Sequence, residues 1–164
     1  MTQLRDYQAD AIQSVYDYFA KGKGHAPLVV APTGAGKSVI LSGFMKRAHD
    51  DFPGTRIMLA THQKELIEQD YKALVRSWPQ APAGIYSAGL GQRKARAQML
   101  FAGVQSVHRK AAEIGHVDLM IVDECHLMPR SSDTQYGRLL EGLRTINPDM
   151  KVIGLTATPF RLDS

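Results

Sequence analysis

The chain has 164 residues, of which 44% are hydrophobic and 22% charged, and its formal net charge is +4. This length and composition predict one soluble globular domain over residues 1–164 and exclude two ordinary domains, a membrane span and a secretory signal. The single cysteine, Cys125, excludes an internal disulfide and fits a reducing cytoplasm, while the mild positive excess suits a polyanionic partner.

Helical and strand-like segments alternate along the chain, as the spacing of the apolar residues indicates. In chain order the predicted elements are helix 4–20, strand 28–31, a helix that begins near Lys37, strand 57–60, helix 66–75, strand 99–101, helix 104–113, strand 119–122, helix 136–146 and strand 152–155. Residues 79–97 are rich in glycine and basic residues, with a short strand predicted at Ile85 and Tyr86. Ser132 or Asp133 is predicted to cap the last helix.

This alternation predicts an α/β fold with a mainly parallel central sheet. Polar clusters follow directly after four of the predicted strands. These clusters are residues 32–38, 61–64, 123–126 and 156–159. Because the carboxyl ends of parallel strands line one crevice, we expect the four clusters to meet in space although they are far apart in the chain.

The first cluster has the composition of a phosphate-binding loop. It consists of Pro32, Thr33, Gly34, Ala35, Gly36, Lys37 and Ser38. Its glycines allow backbone N–H groups to point at phosphate oxygens, and the helix that follows adds the positive end of its dipole. Lys37 is predicted to reach the β- and γ-phosphates of ATP, and the Ser38 hydroxyl to bind Mg²⁺. The alternative is an ordinary glycine-rich turn, and Ala31 stands where the general phosphate-loop pattern has glycine.

Two adjacent carboxylates, Asp123 and Glu124, follow the apolar strand 119–122. Such a pair is costly at a strand end unless it serves a cation or a proton transfer. Their order predicts that Asp123 binds Mg²⁺ and that Glu124 activates the attacking water. A polar exit from the strand is one alternative. A zinc site at Cys125 and His126 is another, although no second cysteine exists to complete it.

Together these segments resemble the motifs of superfamily-two helicases. Residues 123–126 are similar to the DEAD/DEAH box in its Asp-Glu-Cys-His form, and residues 156–158 to the Ser/Thr-Ala-Thr motif. Residues 4–8 (Leu-Arg-Asp-Tyr-Gln) resemble the adenine-recognition segment. Within the superfamily the combination is most similar to bacterial and phage RadD-type helicases.

The resemblance implies a three-layer RecA-like P-loop domain that binds ATP and Mg²⁺. It implies that Gln8 reads the adenine and that Arg5 packs on the base or a phosphate. His126 would couple the nucleotide state to the rest of the motor, and Thr156 and Thr158 would link hydrolysis to strand movement.

Two further segments resemble parts of the family that grip a nucleic-acid backbone. The residues concerned are Thr61, His62 and Lys64 in one segment and Gln105 and Ser106 in the other. Donors at helix starts suit phosphate contacts, but ordinary helix caps have the same composition. Arg93, Lys94 and Arg96 either extend a basic track or form a solvated loop.

The sequence therefore predicts the ATP-binding lobe of a nucleic-acid helicase or translocase, with DNA favoured over RNA as the track. In such motors a second RecA-like lobe supplies arginine fingers, so this chain alone is expected to hydrolyse ATP slowly at best. A small P-loop kinase is one alternative function, but residues 123–126 and 156–158 would have no role in it. A non-catalytic, nucleotide-gated module that binds nucleic acid is the main alternative, and the intact Glu124 argues against it.

Overall fold

A computed structural model describes residues 4–20, 28–30, 36–123 and 134–156. Within these residues the helices are α1 (Asp6–Ala20), α2 (Lys37–Asp51), α3 (Lys64–Ser77), α4 (Val104–Val107), α5 (Ala111–Ile114) and α6 (Gln135–Ile146). The strands are β1 (Leu28–Val30), β2 (Ile57–Thr61), β3 (Ala83–Ser87), β4 (Gln92–Arg93), β5 (Met99–Gly103), β6 (Leu119–Asp123) and β7 (Lys151–Thr156).

The seven strands of the described residues form one sheet in the order β1-β7-β6-β2-β5-β3-β4. All neighbouring pairs are parallel except β3 and β4, which run antiparallel at the edge. The central strands β2, β5 and β6 are buried along their whole length, which explains why their sequences are apolar runs rather than alternating ones.

Helices cover both faces of the sheet and give the domain three layers. Ile57 and Leu59 of β2 pack in the core beneath α1, α2 and α3, whereas Met58 and Ala60 pack in the core beneath α4, α5 and α6. Successive side chains of a strand point to opposite faces, so each central strand contributes to both cores. The prediction of an α/β fold with a mainly parallel sheet is confirmed.

The prediction of one helix over residues 104–113 is wrong, because the chain forms two short helices there. The Lys110 N–H donates to the Val107 carbonyl at 2.8 Å, which tightens the chain between α4 and α5. Val104, Val107 and Ile114 are buried in this arrangement, and a single helix would place them on one face as well. The apolar spacing therefore does not distinguish the two arrangements.

The cap of α6 also differs from the prediction. The Gly137 N–H donates to Thr134 Oγ1 at 3.1 Å, so Thr134 caps the helix. Ser132 and Asp133 lie outside the described residues.

The strand predicted at Ile85 and Tyr86 is present as part of β3, and the short edge strand β4 was not predicted.

No helix in the part of the chain that the structure describes has the length and apolarity needed to cross a membrane.

Candidate nucleotide-binding site

The carboxyl ends of the parallel strands lie along one edge of the sheet. Val30 pairs with Thr156, and Asp123 pairs with Leu155 on the neighbouring strand. Thr61 ends β2, which lies next to β6. The described members of the four polar clusters are therefore brought to the same edge, as expected for a parallel sheet.

Lys37 and Asp123 meet at this edge. Lys37 is the first residue of α2, and its Nζ lies 2.9 Å from Asp123 Oδ1 at the end of β6. The Asp123 side chain is fully buried, so the lysine compensates a charge that would otherwise be costly there. A positive and a negative group are thus held together between the start of a helix and the end of a strand.

Gly36 precedes this lysine in the left-handed conformation, with φ 73° and ψ 48°. A Cβ atom at this position would lie 2.3 Å from Gln8 Nε2. The backbone angle favours glycine, since other residues rarely adopt this conformation, and any side chain here would also displace the Gln8 amide. The chain can therefore turn into α2 at this point because Gly36 has no side chain.

Gln8 connects α1 to this turn. Its Oε1 accepts the Arg5 N–H at 2.9 Å, so the glutamine side chain reaches back to cap the start of its own helix. Gln8 is buried, whereas Arg5 is exposed beside it. An amide side chain carries both a donor and an acceptor, which is the chemistry that an adenine edge requires.

Ser38 bridges α2 and α3. Its Oγ donates to Asp70 Oδ1 at 2.7 Å and accepts from Gln69 Nε2 at 3.2 Å. Burial, together with the hydrogen bond and charge of Asp123, raises the pKa of Asp70 to about 8. The Ser38 hydrogen bond and the Lys37 charge oppose this rise. Two carboxyl groups and a serine hydroxyl are therefore neighbours at this point of the crevice.

These groups fit a magnesium-bound triphosphate. Mg²⁺ prefers oxygen ligands, and the Ser38 hydroxyl and the Asp123 carboxylate would provide them. Lys37 and the first N–H groups of α2 suit phosphate oxygens. The other residues predicted for this site lie outside the described residues, namely Pro32, Thr33, Gly34, Ala35, Glu124, His126 and Thr158.

Four of the five residues predicted to grip nucleic acid reach the surface near one another. Gln105 Nε2 donates to the His62 carbonyl at 3.0 Å, and the Ala88 N–H donates to Ser106 Oγ at 3.0 Å. Lys64 is exposed at the start of α3. Thr61 is only 1% exposed, so the structure places its side chain beneath this surface.

His62 also contacts the helix that follows the acidic cluster. Its ring meets the Tyr136 ring edge-on, with centroids 4.8 Å apart and an interplanar angle of 88°. Burial lowers the pKa of His62, which favours the neutral ring against the aromatic neighbour. Sequence reasoning did not identify this contact, because nothing in the sequence shows that residues 62 and 136 are neighbours.

Asp70 was also missed, although the sequence contains a signal for it. Ile67 and Leu74 form the buried stripe of α3, and Asp70 lies between them at helical spacing. An acid within an apolar stripe is uncommon unless it has a partner inside the protein. Here the partner is Ser38, 32 residues earlier in the chain.

Two curated DNA helicases are similar to this chain. The ATP-dependent DNA helicase MPH1 of Scheffersomyces stipitis is 26% identical over 168 residues, which cover 96% of this chain and 15% of that protein. The DEAD-box ATP-dependent DNA helicase Fancm of Drosophila melanogaster is 28% identical over 173 residues, which cover 96% of this chain and 11% of that protein. The chain thus spans a small part of the length of the curated relatives it matches.

Solved helicase structures share the fold. The Hef helicase domain of Pyrococcus furiosus superposes with a TM-score of 0.70 at 25% identity, covering 98% of this chain and 34% of that one. The UvsW helicase from bacteriophage T4 gives a TM-score of 0.69 at 22% identity, covering 96% of this chain and 53% of that one. The expectation of a three-layer RecA-like domain is confirmed by this likeness.

The match to a protein family covers almost the whole chain. Residues 1–161 match the family described as type III restriction enzyme, res subunit. This family is part of superfamily two, so the resemblance of the motifs to superfamily-two helicases is confirmed at that level. The RadD-type assignment stays a prediction. The chain belongs to the type III restriction enzyme, res subunit family.

Proposed function

We propose that this chain is the ATP-binding motor lobe of an ATP-dependent DNA helicase or translocase of the RadD type. The observation that carries the proposal is the contact of 2.9 Å between Lys37 Nζ and Asp123 Oδ1. It joins the first residue of α2, directly after Gly36, to an aspartate at the end of a buried strand. A P-loop ATPase places its lysine and its magnesium-binding aspartate in this relation.

In this proposal four residues act at the phosphates, and each has a different role. Lys37 binds the β- and γ-phosphate oxygens and exchanges its carboxylate partner for them. Ser38 and Asp123 hold Mg²⁺, and Glu124 orients the attacking water and accepts its proton. When bound, Mg²⁺ supplies positive charge that offsets the charge developing on the phosphates.

Five other residues serve nucleotide recognition and coupling. Gln8 pairs with the adenine edge, since its amide lies against the turn at Gly36, and Arg5 packs on the base or a phosphate. His126, Thr156 and Thr158 transmit the state of the nucleotide to the rest of the motor. The position of Thr156 at the end of β7, beside the strand that bears Asp123, supports this assignment.

Residues 1–164 form one lobe of the motor in this proposal, and a second RecA-like lobe of the same parent protein completes the ATPase with an arginine finger. Four residues at the surface near β2 and β5 hold the DNA backbone, and Thr61 supports them from below. These residues are Lys64 and Gln105, which are exposed, and His62 and Ser106, which are half-buried. The MPH1 and Fancm relatives are ATP-dependent DNA helicases, which supports DNA as the track.

Binding of a fluorescent ATP analogue to this chain in the presence of Mg²⁺ tests the phosphate site. We expect Lys37→Ala to weaken binding about tenfold or more, because a charge-assisted contact to phosphate is lost. The matched control is Lys72→Ala, which removes an exposed lysine of α3. Equal binding by the Lys37→Ala variant and the unaltered chain would show that the phosphate site is assigned wrongly.

ATP turnover by the full parent protein tests the motor. We expect DNA to stimulate turnover more than RNA does, and Lys37→Ala to abolish it. Nucleotide-dependent DNA binding without turnover would instead favour a non-catalytic module.

A further inference from the structure

Asp70 is a buried carboxylic acid that the proposed function does not use. It is 1% exposed and lies between Ile67 and Leu74 on the face of α3 that packs into the core. Burial of a carboxyl group is costly unless strong hydrogen bonds compensate it. The compensating bond comes from Ser38, which the proposed function assigns to Mg²⁺.

The Ser38 hydroxyl has one hydrogen and two lone pairs. The hydrogen is donated to Asp70 Oδ1 at 2.7 Å. Gln69 Nε2 donates to the oxygen at 3.2 Å and occupies one lone pair. The second lone pair is left for a ligand, and the hydroxyl cannot rotate it away without breaking the bond to Asp70.

A hydroxyl that binds a cation through a lone pair still carries one hydrogen, which needs an acceptor that points away from the cation. A carboxylate behind a metal ligand commonly accepts such a hydrogen and fixes the orientation of the ligand. Asp70 has the required position, since it contacts Ser38 and also lies beside the Asp123 carboxyl group. Both partners lie on helices, since Ser38 is in the first turn of α2 and Asp70 is in the middle of α3.

We propose that Asp70 is a positioning residue that turns the Ser38 hydroxyl so that its free lone pair faces the magnesium ion. This proposal rests on the proposed function, in which Ser38 binds Mg²⁺. Asp70 itself does not touch the nucleotide. Its contribution is confined to the part of nucleotide affinity that depends on Mg²⁺.

Two substitutions at this position separate positioning from mere packing. In Asp70→Asn the amide oxygen still accepts from Ser38, and the amide N–H groups suit the neighbouring Asp123 carboxylate. Asp70→Leu has the same branching but is larger and accepts no hydrogen bond. The acceptor is therefore present only in the first variant, and a loss confined to the Mg²⁺-dependent affinity distinguishes positioning from altered packing.

The experiment measures the affinity of this chain for ADP by calorimetry, over a series of Mg²⁺ concentrations and in EDTA. We expect Asp70→Leu to weaken the affinity in Mg²⁺ about tenfold or more, and to change the affinity in EDTA by less than about twofold. Asp70→Asn should stay within about threefold of the unaltered chain in both conditions. The control Glu68→Leu, which removes an exposed carboxylate of the same helix, should change neither value.

A double-mutant cycle with Ser38→Ala provides the second measurement. Asp70→Ala should cost Mg²⁺-dependent affinity in the unaltered background and nothing further once the Ser38 hydroxyl is absent. An equal loss in both backgrounds, or an unchanged Mg²⁺ dependence in Asp70→Leu, would overturn the positioning role while leaving the proposed function intact. Failure of the unaltered chain to bind ADP would overturn the proposed function itself, and this role with it.

Discussion

Asp70 makes the folding stability of the chain depend on pH. Burial and the neighbouring Asp123 raise its pKa from 3.8 to about 8 in the folded chain. As pH rises from about 4 to about 8, the unfolded chain therefore releases this proton while the folded chain retains it. The contribution of Asp70 to stability is complete below pH 4 and is lost as pH rises through the folded pKa.

We therefore expect Asp70→Asn to raise the free energy of unfolding relative to the unaltered chain, and by more at pH 8 than at pH 5. The asparagine resembles the protonated acid and removes the cost of ionising it. Each unit of pKa shift corresponds to about 1.4 kcal/mol, so the difference between the two pH values should be on the order of a few kcal/mol. Urea unfolding at both pH values measures it.

The control for this prediction is Asp17→Asn, which changes an aspartate on the exposed face of α1. Its effect should be small and similar at the two pH values. A stability difference between Asp70→Asn and the unaltered chain that is the same at pH 5 and pH 8 would show that Asp70 ionises normally in the folded chain.

Arg56 precedes β2 and donates to the backbone of two connecting segments. Its guanidinium donates to the carbonyl oxygens of Ala97 at 3.1 Å and His116 at 3.2 Å, and also to those of Ala95 and Ile114. These carbonyls belong to the segments that enter β5 and β6. The residue therefore fixes two connections to the sheet at the edge opposite the candidate site.

We expect Arg56→Ala to lower the free energy of unfolding by roughly 2–4 kcal/mol, because several partly buried carbonyl groups lose their donor at once. Urea unfolding measures the loss. The control Arg76→Ala, an exposed arginine of α3, should change stability by less than about 0.5 kcal/mol. A comparable loss in both variants would mean that the carbonyl contacts of Arg56 contribute little.

Helix α6 depends on the cap at Thr134. Substitution of a capping threonine by alanine typically costs about 1 kcal/mol, since one N–H at the helix start loses its acceptor. We expect this loss for Thr134→Ala in thermal or urea unfolding. Thr145→Ala in the last turn of the same helix is the matched control, and it should be neutral or slightly stabilising because alanine favours helices. The cap assignment fails if both variants behave alike.

The elements show which parts of the molecule the sequence predicts and which it does not. Strands β2 and β6 are continuous apolar runs, and a polar cluster follows each of them in the sequence. Both features can be seen within a few consecutive residues, and the sequence therefore predicts these strands. The Ser38–Asp70 bond joins residues on two helices, and only the packing of α2 against α3 creates it. The break between α4 and α5 was missed because apolar spacing is the same for one helix and for two.

At the scale of the whole molecule, the two candidate surfaces lie on one edge of the same sheet. The candidate nucleotide site lies at the carboxyl end of β6. The candidate nucleic-acid surface lies at the carboxyl ends of β2, which is next to β6, and of β5, which is next to β2. On the β2 side, Gln105 donates to the His62 carbonyl, and the His62 ring packs edge-on against Tyr136 of α6. The sheet thus provides a short physical connection between ATP and DNA in the proposed motor.

This arrangement predicts that the two surfaces can be altered separately. We expect Lys64→Gln to weaken DNA binding by the full parent protein several-fold and to leave nucleotide affinity unchanged, because Lys64 is exposed at the start of α3 and is not part of the proposed phosphate site. If Lys64 neutralises one phosphate, the slope of log affinity against log salt should fall by about 0.7–0.9. Titration of labelled DNA at several salt concentrations measures both values.

Lys72→Gln, further along the same helix, should leave the slope unaltered. A loss of nucleotide affinity in Lys64→Gln, or an unchanged salt slope, would contradict the placement of the DNA backbone over the start of α3.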